Sequence, residues 1–557
     1  MSEKIRIFAL GGLDEDGKNC TIVEINGDIF VVECGIRFPD KTMPGIDYVI
    51  PQYDYLKEHK NQVKAYFLLH GHDDETGGLA YLYKDVPAPV YGSKVTLTMF
   101  QIFTRHVNLD PTIYDLHVVA PTSTFKVAGR QISFFHTAHN IADSSGLAIS
   151  TEYGNIVFTG DFVVENNATP SYLHDMNAIA NLAEKPTLAL LTESVYADRS
   201  GYTAPTYKLA PLIEEAVKDA QGRIFISIFS VNFYNLDELI KLAVQTHKKI
   251  ICYDEETLSI LTAMQSCGQL LIPRDNYAPI DDVLRLRNQD IIVLVSGFGS
   301  RLYSKIALLA SNQHEDKRIT LNKQDLFIVA SPANDNTEIE ATDAIDELYR
   351  SGCAVLNIKK KNFLNMHASE EDLKMMISIL KPQYYIPVKG FYKDLLRNGL
   401  VALSMGINLN HQNVFVMENG ISVLLDNTGG RLFDEKIPHG DLLIDGIGVG
   451  DVGGKVIEDR QKLAEGVVVL ALTVSKKEKR IVAGPDVQMR GFVFVKDADM
   501  ILKDVSKIFV STVNEFLQKP SYNLDEIKQN VYEKCLRAIR RQTGKEPMVL
   551  PLIVEVE

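Results

Sequence analysis

The stretch His70-Gly71-His72-Asp73-Asp74-Glu75 most narrows what this chain can become. Residues 63–69, just before it, carry the aromatic and β-branched run of a buried strand, so both histidines stand on a loop at a strand end. Imidazoles at i and i+2 on such a loop can converge on one cation. Neutral imidazole and carboxylate are ligands that Zn²⁺ and Mn²⁺ accept. Thr76-Gly77-Gly78-Leu79 then suits a turn entering a helix. H-x-H alone reads as a polar loop with chance histidines. With Asp74 and Gly77-Gly78 at their offsets it reads as a metal centre of hydrolytic type.

The pattern around this loop is one of short strands. Residues 22–25, 29–32, 63–69, 131–135, 147–151 and 155–158 read as strands, and helices covering their outer faces give an αββα sandwich. Near Thr203 the pattern changes. An amphipathic helix over 209–220, with Leu209, Leu212, Ile213 and Val217 on one face, opens an alternation of 224–229, 236–245, 249–253 and 290–296. That is a parallel α/β unit. A helix over 370–380 and a strand over 384–388 resume the first pattern. The tail reads as strands 467–474 and 491–495, helices 498–518 and 523–541, and a last strand 548–556, a small α+β module. The expected segments are 1–204, 205–360, 361–435, a linker over 436–458, and 459–557.

With 557 residues, 46% hydrophobic and 23% charged, the chain is too long for one core, and two to four domains are expected. It has no apolar run long enough for a transmembrane helix, and its start lacks the features of a signal peptide. Cys20, Cys34, Cys252, Cys267, Cys353 and Cys535 form no C-x-x-C and read as reduced, mostly buried thiols of a cytoplasmic protein. A net charge of −14 argues against a basic nucleic-acid coat. It leaves room for an enzyme with a local basic channel. Lys359-Lys360-Lys361 and the run from Lys476 to Arg480 are the local positive segments, and either reads equally as a solvated face.

Motifs spread along the chain resemble the ribonuclease J family, metallo-β-lactamase-fold nucleases with an inserted β-CASP domain. They are Gly11-Gly12-Leu13-Asp14-Glu15-Asp16-Gly17-Lys18-Asn19, Gly45-Ile46-Asp47, His70 to Gly78, Thr159-Gly160-Asp161-Phe162, His367-Ala368-Ser369, the glycine-rich run from Asp445 to Gly453, Gly484-Pro485-Asp486 and Arg490-Gly491-Phe492-Val493. The resemblance covers nearly the whole length. It implies an α/β fold: an αββα metallo-β-lactamase sandwich, an α/β β-CASP insert and a small α+β C-terminal domain.

By the same resemblance, His70, His72, His139 and Asp161 match the ligands of a first metal, and all four are intact. The second metal of the family is held by the Asp-His pair of H-x-H-x-D-H, the shared aspartate and a histidine after a late strand. Asp74 and Asp161 remain here, but Glu75 and Lys389 stand at the two histidine positions. A protonated lysine has no lone pair to donate. Its ammonium either occupies the missing cation's place or swings to solvent. One Zn or Mn ion per chain is the expectation. With less charge neutralised in the transition state than by two metals, so is weak or absent activity from this chain alone.

The resemblance also gives roles to Glu193, an acid beside the centre, and to His367, a phosphate contact or proton donor. A bland reading makes them a buried carboxylate at a strand end and a helix-capping histidine. Asp74 joins His367 and Glu193 as a candidate catalytic group, and His367, Asn365 and Ser369 are candidate RNA contacts. Asn365-Met366 replaces a Ser-Gly, which puts close backbone approach to phosphate in question. In the insert, Ser230-Val-Asn232-Phe-Tyr234-Asn235 replaces a pattern with His and Arg. Ser296-Gly297-Phe298-Gly299-Ser300 loses a Gln. Ser331-Pro332 is kept, while Asn334-Asp335-Asn336-Thr337 keeps only one residue of the expected Pro-Gly-Asn-Glu.

The resemblance thus implies an RNA-processing protein of the second, catalytically degenerate type. The implied family activity is 5′→3′ exonuclease, with endonuclease action as an option, in rRNA maturation and mRNA decay. RNA and an active paralogue are the implied partners, and the C-terminal module is the implied element of homo- or hetero-oligomer assembly. Rival readings are a competent nuclease using Glu75 as an oxygen ligand, a scaffold or RNA-binding subunit without chemistry, and a small-molecule hydrolase of the same fold.

Overall fold

The computed structural model describes residues 2–40, 42–165, 169–314, 316–333, 337–433, 435–446, 448–450, 452–491 and 495–557, and the side chains of these apart from 495–498. It divides into two compact units, Met1–Phe38 with Val49–Leu442, and Pro39–Tyr48 with Leu443–Glu557.

The first unit contains a two-sheet sandwich. One sheet runs Gly429–Phe433, Ser422–Asp426, Ile5–Gly11, Cys20–Ile25, Asp28–Val32, Val63–Phe67, Val90–Gly92, Leu116–Val118. The other runs Tyr384–Pro387, Thr187–Thr192, Gly154–Phe158, Ser145–Thr151, Arg130–His136, Thr124–Val127. Side chains alternate along each strand. Ile5, Ile7, Val23, Phe30, Val32, Ala65 and Phe67 from the first sheet therefore meet Ile132, Phe134, Leu147, Ile149, Ile156 and Leu191 from the second in one shared core. The opposite face of the second sheet, with Phe135, Ala148, Val157, Leu190 and Tyr385, is covered by Leu373, Met376, Ile377 and Leu380 of the helix Glu370–Leu380, and by Ile179, Val401 and Ala402. This is the αββα arrangement that the strand pattern implied. Burying each such Leu, Ile or Phe stabilises the fold by roughly 1.5–3 kcal/mol, so the sandwich is a stiff mount for the loops at its edge.

The insert holds a five-stranded parallel sheet in the order Lys249–Cys252, Ile291–Gly297, Ile224–Phe229, Leu326–Val329, Ala354–Asn357. Its strands are nearly continuous apolar runs, as expected for a sheet covered by helices on both faces. Two separate apolar clusters flank it. Arg223 and Asp325 form a buried pair at its base, with Arg223 Nη2 2.7 Å from Asp325 Oδ2.

The second unit has a three-stranded sheet with Val467–Ser475 in the centre, antiparallel to Arg480–Arg490 and parallel to Met548–Val556. Val468, Leu470, Leu472 and Val474 pack against Ile501, Val505, Phe509 and Val513 of the helix Val495–Leu517 and Ile527, Val531, Cys535 and Ile539 of the helix Leu524–Thr543. The strand expected over 491–495 is a correction: the strand there is Arg480–Arg490, and Val495 already belongs to a helix. Residues 492–494 of that expectation lie outside the described residues. The helix Gly454–Ala464 occupies part of the stretch read as a linker.

Candidate metal centre

The site is built from strand ends on one edge of the sandwich. Val63–Phe67 leads to His70 and His72, Arg130–His136 to His139, Gly154–Phe158 to Asp161, Thr187–Thr192 to Glu193, and Tyr384–Pro387 to Lys389. Two glycines allow the close approaches. Gly160 has φ +60°, and a Cβ there would lie 2.8 Å from the Ser145 carbonyl. A Cβ on Gly35 would lie 1.6 Å from the Asp74 carbonyl, so only glycine lets this loop press against the 73–75 segment. Leu69 is held by its N–H donating to Glu33 Oε1 at 3.0 Å, which aims the turn that carries His70.

His70, His72, His139 and Asp161 each offer a ligand atom, all within 4.8 Å of one another. The three imidazoles form a triangle with ring centroids 4.8, 4.9 and 5.0 Å apart. Asp161 Oδ2 lies 3.5 Å from both His70 Nε2 and His139 Nε2. Among the described residues, His70 Nδ1 and Nε2, His72 Nε2 and His139 Nε2 are buried without a hydrogen-bond partner. Buried polar atoms without partners are costly, and here one ligand atom from each ring lies in the same close group. Burial holds His70 and His139 well below the ordinary histidine range, which keeps the rings neutral with a lone pair to give. His139 Nδ1 lies 2.6 Å from the Met366 carbonyl. A carbonyl only accepts, so the proton sits on Nδ1 and the Nε2 lone pair is left for the centre. These residues fit a divalent cation.

Beside this group, Lys389 fills the position where a second cation is expected by resemblance. Its Nζ lies 2.6 Å from Asp161 Oδ2 and 3.3 Å from Asp74 Oδ2, and it donates to Glu75 Oε1. Asn19 steadies the acid, donating from Nδ2 to Glu75 Oε1 at 3.0 Å. Burial alone would discharge the ammonium. Asp161, Asp74 and Glu75 outweigh it and hold Lys389 well above the usual lysine range. The same cation, with His367, overcomes the burial of Asp161 and holds that carboxyl well below the carboxylate range. Of the two orientations left open for this side chain, the inward one is found.

Glu193 and His367 form the other flank. His367 Nδ1 is 2.6 Å from Glu193 Oε2 and 3.6 Å from Asp161 Oδ2. Glu193 Oε1 accepts from Phe162 N at 2.8 Å and Ala368 N at 3.1 Å, which locks the acid between the two segments it serves. Burial pushes His367 down, but Glu193 and Asp161 prevail and raise it above the ordinary histidine range.

The three candidate RNA contacts separate. His367 keeps 14% side-chain exposure, and Asn365 is exposed. Ser369 is 1% exposed, and its hydroxyl pairs with Thr203 Oγ1 at 2.7 Å at the start of the helix Glu370–Leu380. Met366 is buried with Ala138, Val163 and Tyr207. In the insert, Asn232 caps the helix Phe233–Gln245, Tyr234 packs edge-on against Tyr172 and Tyr207, and Ser230 pairs with Ser296 at 3.1 Å. Ser331 pairs with Ser227 at 2.9 Å. The expected departures at Asn334, Asp335 and Asn336 lie outside the described residues, as do Ile447 and Asp451 of the glycine-rich motif.

One organising residue went unnoticed in the sequence. Asp372 accepts from Val164 N at 2.9 Å, Thr203 N at 3.0 Å and Ser369 N at 2.9 Å, tying the Asp161 loop, the entry to the insert and the His367 segment together. The spacing Ser369-x-x-Asp372 before an apolar helix was its available signal.

Residues 13–203 match the metallo-beta-lactamase superfamily, 221–348 the ribonuclease J beta-CASP domain, and 455–556 the ribonuclease J C-terminal domain. Ribonuclease J 2 of Staphylococcus epidermidis (strain RP62A) is 32% identical over 556 residues, covering 100% of this chain and 99% of that protein. Ribonuclease J 2 of Staphylococcus aureus (strain NCTC 8325) is also 32% identical over 556 residues, with the same coverage. A solved protein of unknown function from Enterococcus faecalis V583 superposes with a TM-score of 0.51 at 14% identity, covering 76% of this chain and 100% of that one, a likeness of fold.

Proposed function

The chain belongs to the ribonuclease J family, and on that premise we propose that it is an RNA-processing phosphodiester hydrolase with one metal ion, Zn or Mn, and weak intrinsic activity. The observation that carries this reading is the convergence of His70, His72, His139 and Asp161, with buried, unpartnered ring nitrogens, beside the His367–Glu193 pair.

A divalent ion at those four residues supplies Lewis-acid polarisation of a phosphate oxygen. The chain's own residues do the rest. The Met366 carbonyl holds His139 in the tautomer that can donate its Nε2 lone pair. Glu193 takes the Nδ1 proton of His367 in a hydrogen bond and favours the charged imidazolium. The other ring nitrogen is then the donor for a phosphate oxygen or for the leaving oxygen. Asp74, tied to Lys389, has little freedom to act as a base.

The substrate class is RNA with a 5′ monophosphate, attacked 5′→3′, with internal cleavage as a lesser activity, in rRNA maturation and mRNA decay in the cytoplasm. The partner is a catalytically competent paralogue, engaged through the C-terminal module. A second reading, an RNA-binding subunit of that complex without chemistry, is favoured by the inward Lys389. The test is an exonuclease assay and gel-shift on 5′-phosphorylated RNA with Mn²⁺, for this protein alone and mixed with the paralogue. Slow hydrolysis that is lost in His367→Ala supports the hydrolase. RNA binding without any hydrolysis supports the second reading, and neither binding nor hydrolysis overturns both.

A further inference from the structure

Three carboxyls and one ammonium meet where the ribonuclease J resemblance expects a second ion. An ammonium has three N–H donors. Lys389 spends one on Asp161 Oδ2 at 2.6 Å and one on Glu75 Oε1, and faces Asp74 Oδ2 at 3.3 Å with the third. Its side chain is 12% exposed, so it is enclosed in the site. Its backbone is left-handed, with φ 58°, and its carbonyl accepts from Ser194 N at 3.1 Å. That fixes the direction in which the side chain leaves the strand end.

The second ion does not fit this donor set. Two of the four groups that would hold it are replaced, and Nζ touches each carboxyl that remains. A further divalent ion would also have to enter where the Lys389 ammonium already meets Asp74, Glu75 and Asp161. A buried ion pair is a poor device for stability alone, since apolar side chains of similar volume serve as well or better. Its convergence on would-be ligands therefore points to the centre rather than to the fold.

We propose that Lys389 is a tethered cation standing in for the second metal, which confines the chain to one divalent ion per centre and leaves no donor free to clamp a phosphate. This rests on the reading of His70, His72, His139 and Asp161 as ligands. It makes Lys389 a charge-neutralising, positioning residue whose effect is read in metal content.

The experiment uses the full chain stripped with chelator and reloaded with excess Mn²⁺, with metal per chain measured by mass spectrometry and spin coupling by electron paramagnetic resonance. The variants are Lys389→Ala, which enlarges a cavity of about 50 Å³ lined by Glu33, Glu75 and Asp161, and Glu75→His with Lys389→His. Histidine is among the residues better tolerated in the left-handed region. The expected result is one ion with an uncoupled six-line spectrum in the wild type, and a second ion, coupled through Asp161, in the double variant. Two coupled ions in the wild type overturn the inference alone. A double variant with native circular dichroism that still holds one ion overturns it as well. Wild-type protein that holds no ion overturns the ligand reading and this inference with it. If neither variant folds, the wild-type count and spectrum still decide.

Discussion

Replacing Asp372 by Ala is expected to destabilise the first unit by about 5 kcal/mol. The reasoning starts from three buried backbone donors. Val164 N, Thr203 N and Ser369 N all end on this one carboxyl, at 2.9, 3.0 and 2.9 Å, and the side chain is fully buried. A buried donor left without a partner costs roughly 1–3 kcal/mol. Three of them sum to roughly 3–9 kcal/mol, and a water entering the vacated space would relieve part of that. Asp372→Asn retains one oxygen. With the amide oxygen in the Oδ2 position, Thr203 N and Ser369 N stay satisfied and only Val164 N is orphaned, so the expected cost is about 2 kcal/mol. The chain has no Trp, so urea unfolding is followed by circular dichroism and tyrosine fluorescence, and the first transition is the one compared. The midpoint should fall in the order wild type, Asn, Ala. An Ala variant within about 1 kcal/mol of wild type would refute the claim that this residue joins the three segments.

Three further outcomes are expected. His174 is buried against Phe162 and burial holds its pKa down at about 4. Between about pH 6.5 and 4 the unfolded chain takes up a proton that the native state refuses, so stability falls as pH falls through that window, by about 3 kcal/mol. In His174→Phe the midpoint difference between pH 7 and pH 4.5 should shrink; an unchanged difference would count against the assignment. Asp325→Ala leaves Arg223 charged and buried and is expected to cost about 3–5 kcal/mol. It should speed hydrogen exchange in the five-stranded sheet while leaving Mn²⁺ content unchanged. His139→Ala should abolish stabilisation by divalent ions, which for an ion at a hundredfold its Kd is about 2.7 kcal/mol in the wild type, read as the loss of the Mn²⁺-dependent rise in Tm.

Local signals carried much of the architecture. The sandwich strands were legible because each is a short apolar run bounded by turns, and Gly154–Phe158 or Ser145–Thr151 differ from the expected spans by a residue or two at one end. The tail was harder. Phe492-Val-Phe-Val495 is aromatic and β-branched and reads as a strand, whereas Val495 opens a helix. Arg480–Arg490 was passed over because its side chains are mostly exposed and Gly484-Pro485 interrupts it. Proline is unusual inside a strand and belongs at edges, which is where this strand lies. The helix Gly454–Ala464 buries no residue fully, so no apolar stripe announced it.

At the centre the candidate side chains could be read one by one, but their mutual arrangement could not. His70 and His72 come with their own local context, a strand end and a glycine pair. Lys389 does not: the identity of a lysine says nothing about whether its ammonium reaches inward, because a four-carbon stem can do either. What decides it is a left-handed backbone at residue 389 and three carboxyls delivered by two other segments, one of those carboxyls held by Asn19. Asp372 was hidden for the same reason, since its value lies in N–H groups that are far apart along the chain. The inward ammonium then answers the question raised by Glu75. A carboxylate at that position can serve either as an oxygen ligand or as a counter-ion. Glu75 Oε1 accepts from both Lys389 and Asn19, which is the geometry of a counter-ion.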